Sequence, residues 1–175
     1  NKAAMEQRIN EILEFVELTD RADDKSRRYS GGMKRRLMIG MALLHKPKML
    51  FLDEPTVGLD PQVRRKMWDL IRKMNEAGMT VLLTTHYIEE ADQLCRRVAI
   101  MNRGRIIAVD TPQKLKEKVG RVVVEHMEAD GMINNFFDNR EQAASYVAGL
   151  DSNATVREAN LEDVFIELTG RRVNA

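Results

Sequence analysis

The stretch that most constrains the fold is residues 29–60, which read YSGGMKRRLMIGMALLHKPKMLFLDEPTVGLD. A serine and two glycines enter a predicted helix, an apolar predicted strand ends in two carboxylates, and a turn closes on Asp60. Helix amino-termini attract anions, and carboxylates at the end of a strand can hold a metal ion and a water. This order of elements is typical of a protein that handles phosphates.

The glycine pair opens a helix that we expect to be buried. Ser30 is a suitable N-cap, and Gly31 and Gly32 let backbone N–H groups approach a ligand without a Cβ in the way. Residues 37–44 are apolar almost all round the helix, as in a helix packed inside a protein. Such a helix would aim the positive end of its dipole outward. Taken alone, the pattern also fits an ordinary turn and cap that binds nothing.

The next predicted strand places two carboxylates at its end. Residues 49–52 form a continuous apolar run, which predicts a strand covered on both faces. Asp53 and Glu54 follow it, and in doubly wound sheets ligands lie beyond the carboxyl ends of the strands. Asp53 is suited to holding Mg²⁺, and Glu54 is suited to orienting or deprotonating an attacking water. The same residues also fit an ordinary acidic turn before Pro55.

A second apolar strand is predicted for residues 79–85, and His86 follows it directly. The helix between the two strands has Asp60 as its predicted N-cap. If the strands are parallel neighbours, His86 lies at the same sheet edge as Asp53 and Glu54. A histidine at that edge can reach a phosphate or an attacking water.

The remaining sequence predicts a helix before the glycine turn and a small α+β segment at the end of the chain. Residues 5–18 have the apolar spacing of an amphipathic helix, and residues 98–109 indicate a hairpin. Residues 130–138 are expected to be irregular. Asn160 begins a final helix, with Asp163 placed to complete a capping box. We assign residues 1–28 to a helical subdomain, 29–118 to the core and 119–175 to a C-terminal α+β appendage.

Composition limits the class of protein. The hydrophobic fraction of 43% and the charged fraction of 31% are those of a globular domain. A formal net charge of +1 gives no overall field that would mark a nucleic-acid binder. The single cysteine, Cys95, excludes an intrachain disulfide. No apolar run approaches the roughly 20 residues that a membrane span needs, so any work at a membrane would need another subunit or further sequence.

Four motifs in this order resemble those of the ABC ATPases. YSGGM resembles the signature motif LSGGQ, MLFLDEP the Walker B strand with its catalytic glutamate, GLD the D-loop, and the histidine of TTHYIEEAD the switch histidine. The hairpin MNRGRIIAVDTP and the ending ANLEDVFIELTG resemble the daunorubicin-resistance-type branch of ABC exporters. The resemblance implies a partial P-loop NTPase fold of the α/β class. It would have a mainly parallel sheet with flanking helices, a helical subdomain and a small C-terminal α+β appendage.

The resemblance also implies the ligands, ATP and Mg²⁺, and the site residues. Asp53 would support Mg²⁺, Glu54 would polarise the hydrolytic water, and His86 would contact the γ-phosphate. Asp60 would couple the two sites of a dimer. The signature turn would contact the γ-phosphate of an ATP held mainly by the opposing subunit. Its residues are Ser30, Gly31 and Gly32, and the predicted cofactor-binding set also includes Tyr29 and Met33.

This sequence departs from the family pattern in two ways. Tyr29 and Met33 stand where the signature usually has leucine and glutamine, so the polar contacts of the glutamine side chain are lost. A P-loop needs Gly-x-x-x-x-Gly-Lys followed by Ser or Thr, and no glycine in this chain is followed by lysine. The Q-loop is not visible either. We therefore expect the chain to correspond to the carboxyl-terminal portion of an ATP-binding subunit.

The leading hypothesis is an ATPase subunit of an ABC-type exporter at the cytoplasmic face of the cell membrane. Its expected partners are a second ATP-binding subunit, in a head-to-tail homodimer, and an ABC-2-type membrane permease, with no nucleic acid. The first alternative is a soluble ABC-type ATPase acting on nucleic acid or ribosomes, which the near-neutral charge and the export-like ending disfavour. The second is a binding or regulatory module without ATPase activity, which the presence of Asp53, Glu54 and His86 disfavours.

The missing P-loop generates a prediction for the 175-residue chain by itself. Without the lysine and the glycine-rich backbone that cradle the β- and γ-phosphates, the chain should bind Mg-ATP weakly or not at all. Calorimetric titration of the purified chain with Mg-ATP measures this directly. Tight binding would contradict the interpretation of the chain as a carboxyl-terminal portion.

Overall fold

A computed structural model describes residues 2–128, 131–150 and 152–170. The chain divides between His86 and Tyr87 into two compact units, residues 1–86 and 87–175. This division differs from the sequence-based assignment, whose boundaries after residues 28 and 118 stay predictions. Within the described ranges, no helix has both the length and the apolar character needed to cross a membrane.

The first unit is a parallel strand pair with helices. Its elements are α1 (Lys2–Phe15), the 3-10 turns Thr19–Arg21 and Ser26–Arg28, α2 (Gly31–Leu43), β1 (Met49–Asp53), α3 (Pro61–Glu76) and β2 (Thr80–Thr84). Strands β1 and β2 are parallel neighbours, with Asp53 opposite Thr84. The expected adjacency of the two strands is therefore confirmed. The residues that follow each strand lie at one edge of the sheet, where ligands of α/β proteins bind.

Helix α3 supplies much of the buried surface of the first unit. Asp60 caps it by accepting a hydrogen bond from the N–H of Val63 at 2.9 Å, which confirms the predicted N-cap. Pro61 occupies the first helical position, where its missing N–H costs nothing. The buried stripe of the helix recurs at helical spacing and consists of Met67, Trp68, Leu70, Ile71 and Met74.

Two expectations about burial in the first unit are wrong. Helix α2 is not buried all round, because Met38 on it is 62% exposed. Strand β1 is not covered on both faces either, because Phe51 is 69% exposed while its neighbour Leu52 is half-buried. Successive side chains of a strand point to opposite faces of the sheet, and the described residues of this unit pack only one of them.

The second unit holds two antiparallel sheets. Its elements are α4 (Ile88–Leu94), β3 (Val98–Asn102), β4 (Arg105–Asp110), α5 (Pro112–Glu117), β5 (Val122–Glu128), β6 (Gly131–Phe137), α6 (Arg140–Val147), β7 (Ala154–Glu158) and α7 (Leu161–Thr169). Strands β3 and β4 form the predicted hairpin. The other sheet has the strand order β6-β5-β7.

The expectation that residues 130–138 are irregular is wrong for residues 131–137, while residue 130 lies outside the described residues. Strand β6 pairs with β5 along its whole length, from Gly131 opposite Glu128 to Phe137 opposite Val122. The pattern misleads because Asn134 and Asn135 at its centre are poor strand formers by propensity. Cross-strand pairing with the buried strand β5 outweighs that local preference.

Helix α7 packs on residues from both sides of position 118, the boundary that the sequence-based assignment places between core and appendage. Its buried Leu161 and Val164 form one cluster with Ile100 of β3 and Leu115 of α5. A second cluster of Val122, Val124 and Ala143 lies between the three-stranded sheet and α6.

An ion-pair network fastens α7 to the three-stranded sheet. Asn160 and Asp163 form the predicted capping box, with N–H···O distances of 2.8 and 3.0 Å. Arg157 donates to both carboxylate oxygens of Asp163, at 2.7 and 2.8 Å, and to Glu125 at 2.8 Å. The hydrogen bond to Asp163 is the largest of the effects that raise the pKa of Arg157 above its ordinary value. Asp163 is 2% exposed, so Arg157 and not water surrounds its carboxylate.

The buried pair predicts a large loss of stability on removing the arginine. Arg157→Met leaves the buried Asp163 carboxylate without its cation, which should lower the free energy of unfolding by about 3 kcal/mol in urea. Arg140→Met is the matched control, because Arg140 pairs with Glu158 at 3.4 Å through side chains that are 79% and 80% exposed. Its loss should stay below about 0.5 kcal/mol. Equal losses in the two variants would contradict the conclusion that the buried Asp163 depends on Arg157 for its pairing.

Candidate functional site

The carboxyl ends of β1 and β2 bring two of the predicted catalytic residues into contact. Oε1 of Glu54 lies 2.9 Å from Nδ1 of His86, and the backbone N–H of His86 donates to Oε2 of Glu54 at 3.4 Å. The side chains are 34% and 60% exposed, so solvent and a ligand can reach both. The expected proximity of these residues is confirmed, while their chemical roles stay predictions.

Asp53 lies at the end of β1, beside Glu54. Its side chain is exposed, and its Oδ1 accepts a hydrogen bond from the hydroxyl of Thr84 on the neighbouring strand. In the described part of the chain, no group of three or more His, Cys, Asp or Glu residues is placed to hold a metal ion. Mg²⁺ usually takes one or two carboxylates and completes its shell with water and substrate phosphates. A single oriented carboxylate at a strand end therefore fits a magnesium site that a nucleotide completes.

The backbone of Glu54 is held by two residues that sequence reasoning missed. Its N–H donates to the carbonyl of Thr84 at 3.0 Å, and its carbonyl accepts from Nη2 of Arg35 at 3.1 Å. Thr84 could have been found by aligning the ends of the two predicted strands. No motif or spacing marks Arg35, because its contact depends on how α2 packs beside the end of β1.

The two glycines of the turn differ in their surroundings. The side chain of Ser30 accepts from the N–H of Met33 at 3.3 Å, which confirms the predicted N-cap. A Cβ added at Gly31 would meet no atom within 4 Å, so the backbone at the start of α2 is open to a ligand. A Cβ at Gly32 would lie 2.3 Å from Cγ1 of Val63. Packing against α3 therefore requires a glycine at position 32 whether or not a ligand binds.

The predicted residues fall into two groups in the structure. Asp53, Glu54 and His86 form one at the strand ends. The Ser30 turn forms the other, and it packs beside the start of α3, where Asp60 is the N-cap.

Two other members of the predicted cofactor-binding set have structural explanations. The ring of Tyr29 is buried, and its hydroxyl donates to the carbonyl of Arg21 at 2.6 Å. This bond joins the start of α2 to the 3-10 turn Thr19–Arg21 and accounts for the tyrosine without a ligand. The N–H of Met33 is taken by the Ser30 cap, and its side chain is half-buried. Ligand contact by Tyr29 or Met33 stays a prediction.

Comparisons with known proteins agree with this geometry. The profile of the ABC transporter family matches residues 1–57. The chain is 38% identical to the linearmycin resistance ATP-binding protein of Bacillus subtilis, over 94% of this chain and 63% of that protein. It is 42% identical to Nod factor export ATP-binding protein I of Burkholderia thailandensis, over 93% of this chain and 60% of that protein. The chain is thus similar to ABC transporter ATP-binding proteins along nearly its whole length.

Solved structures of this family confirm the α/β P-loop NTPase fold class. The cbiO1 protein of Clostridium perfringens, part of an ABC transporter complex, matches with a TM-score of 0.62 at 31% identity, over 66% of this chain and 46% of that one. A nucleotide-free ATP-binding cassette from an ABC transporter matches with a TM-score of 0.61 at 28% identity, over 65% and 45%. The chain spans less than two thirds of the length of the two relatives named above.

The different surroundings of the two glycines predict different effects of two similar substitutions. Gly32→Ala places a Cβ against Val63, which should lower the free energy of unfolding by about 1–3 kcal/mol through overpacking. Gly31→Ala adds a methyl group in open space, so its effect should stay within about 1 kcal/mol, with helix propensity favouring alanine. Urea unfolding measures both.

A third variant tests the cause of the loss. Adding Val63→Ala to Gly32→Ala relieves the clash and should restore part of the stability. Strictly additive losses in the double variant would contradict a direct contact between the two positions.

Proposed function

We propose that the protein carrying this chain is the ATPase subunit of an ABC-type exporter, which couples ATP hydrolysis to transport by a separate membrane subunit. The observation that carries the proposal is the contact between Glu54 and His86 at the ends of two parallel strands, in a chain similar to ABC transporter ATP-binding proteins. The names of its relatives, which concern linearmycin resistance and Nod factor export, support export as the process it drives.

Glu54 would act on the attacking water. Its half-exposed carboxylate is steadied by the ring and the backbone N–H of His86, so it can keep one orientation while solvent reaches it. A carboxylate held in this way can orient or deprotonate a water. Phosphoryl transfer gains its catalysis mainly from positioning and from stabilisation of charge. His86 would contribute to the second of these by reaching the γ-phosphate.

ATP and Mg²⁺ would be held partly by this chain and partly by a second subunit. Asp53, oriented by the hydroxyl of Thr84, would support the Mg²⁺ of the nucleotide beside it. The open backbone at Gly31 would meet the γ-phosphate of an ATP that the opposing subunit mainly holds, in a head-to-tail homodimer. Asp60 would couple the two sites, because the helix it caps packs against the same glycine turn.

The proposed membrane partner is an ABC-2-type permease, with the ATPase subunit peripheral at the cytoplasmic face of the cell membrane. The ending ANLEDVFIELTG, which resembles that of the daunorubicin-resistance-type exporters, supports this choice. In the structure that ending forms the cap and the helix α7, which packs on α4 and α5.

The role of Glu54 predicts a separation of binding from hydrolysis. In the full-length protein, Glu54→Gln keeps the shape of the side chain and removes the base, so turnover should fall about 100-fold or more. The affinity for ATP should not change, since the substituted group does not hold the phosphates. Phosphate release and nucleotide titration measure the two quantities. Glu76→Gln, at an exposed position of α3, is the charge-matched control and should keep full activity. Unchanged turnover in Glu54→Gln would remove Glu54 from this role.

A further inference from the structure

Arg35 links the helix that begins at the glycine turn to the backbone of Glu54. Its Nη2 donates to the carbonyl oxygen of Glu54 at 3.1 Å, between residues 19 positions apart in the chain. Arg35 is the fifth residue of α2, and its side chain is half-buried. A hydrogen bond from a guanidinium is charge-assisted and stronger than one between neutral groups. The contact is therefore suited to holding a peptide group in a fixed orientation.

The backbone conformation of Glu54 is disfavoured and has to be stabilised by contacts. Its φ of 46° lies in the left-handed region, which residues other than glycine seldom adopt. Glu54 also precedes Pro55, and a residue before proline favours extended backbone. A residue in a disfavoured conformation keeps it only when surrounding contacts determine it.

Three segments of the first unit supply those contacts. The N–H of Glu54 is bound by the carbonyl of Thr84 at 3.0 Å, and its carboxylate is bound by His86 at 2.9 Å. Its carbonyl accepts from Arg35 at 3.1 Å and, at the longer distance of 3.4 Å, from the N–H of Val57. Of the side chains that hold Glu54, Arg35 is the one contributed by α2. Without it, the peptide between Glu54 and Pro55 keeps only the longer, neutral bond.

We propose that Arg35 is a positioning residue for hydrolysis, which acts through the Glu54 carbonyl to hold the Glu54 carboxylate where it meets the attacking water. Because α2 begins at Ser30, the same bond ties the glycine turn to that carboxylate. The turn would serve the nucleotide of the opposing subunit, and Glu54 would serve the nucleotide of its own chain. If the nucleotide of the opposing subunit displaces the turn, the bond from Arg35 therefore also moves the carboxylate that acts on the nucleotide of this chain. This inference rests on the function proposed above.

The test measures turnover separately from nucleotide binding in the full-length protein. Arg35→Met removes the donor and should lower kcat about 10- to 100-fold, because a carboxylate displaced by about 1 Å loses that much. KM for ATP should stay within about twofold, since only positioning for the chemical step is lost. Arg35→Lys keeps a cationic donor without the fork of the guanidinium and should recover part of kcat.

Lys34→Met is the matched control. It removes a cation from the neighbouring position of the same helix, where the side chain is exposed, and should leave kcat unchanged. An equal loss in Lys34→Met would overturn the proposal, because it would show that the general charge of α2 matters and not the bond to Glu54.

A double-mutant cycle tests whether Arg35 acts through Glu54. In a Glu54→Gln background, adding Arg35→Met should lower the residual single-turnover rate no further, because the group that Arg35 positions is already gone. A further loss, or a rise in KM without a fall in kcat, would overturn the proposal in favour of direct contact with the nucleotide. If Arg35→Met unfolds, Arg35→Lys in the same two backgrounds supplies the comparison.

The two proposals fail in different ways. Absence of ATP turnover in the unsubstituted full-length protein would overturn the proposed function and, with it, this inference. Full turnover in Glu54→Gln would remove Glu54 from its role and would overturn this inference while leaving ATP hydrolysis in place. A loss in Glu54→Gln together with full turnover in Arg35→Met would overturn the positioning role alone.

Discussion

The in-register parallel pairing of β1 and β2 is the constraint on which the site depends. Asp53 lies opposite Thr84, so the chain leaves both strands at the same level of the sheet. The residues that follow, Glu54 on one side and His86 on the other, then meet at 2.9 Å. A shift of register by one residue would turn every side chain of a strand to the other face. The motif residues are therefore necessary for the site, but the register makes them neighbours.

Much of the local structure could be predicted from the sequence, because it depends on residues close together in the chain. The N-caps at Ser30, Asp60 and Asn160 each need only a side chain and an N–H three positions later. Exposure is different, because it depends on what the rest of the fold places against a strand. The apolar run around Phe51 indicates a strand but not which of its faces is packed. Strand β6 could not be predicted from its own residues, because its stability comes from pairing with β5.

The candidate site shows the same division between local and long-range information. Its carboxylates and histidine could be found from their place after apolar runs, and the family resemblance implied their roles. Thr84 could be found only by aligning the ends of the two predicted strands, and Arg35 could not be found, because its contact across 19 positions depends on how α2 packs. The two glycines look equivalent in the sequence, yet one faces open space and the other faces Val63. Only the packing of α2 against α3 separates them.

The contact between Gly32 and Val63 also constrains how a chain of this kind can change over time. The space at the crossing of α2 and α3 is shared by the two positions, so the side chain at one limits the side chain at the other. A residue larger than glycine becomes tolerable at position 32 only after position 63 has become smaller. The order of substitutions is thus set by volume, and the glycine would persist in descendants for which the phosphate no longer matters.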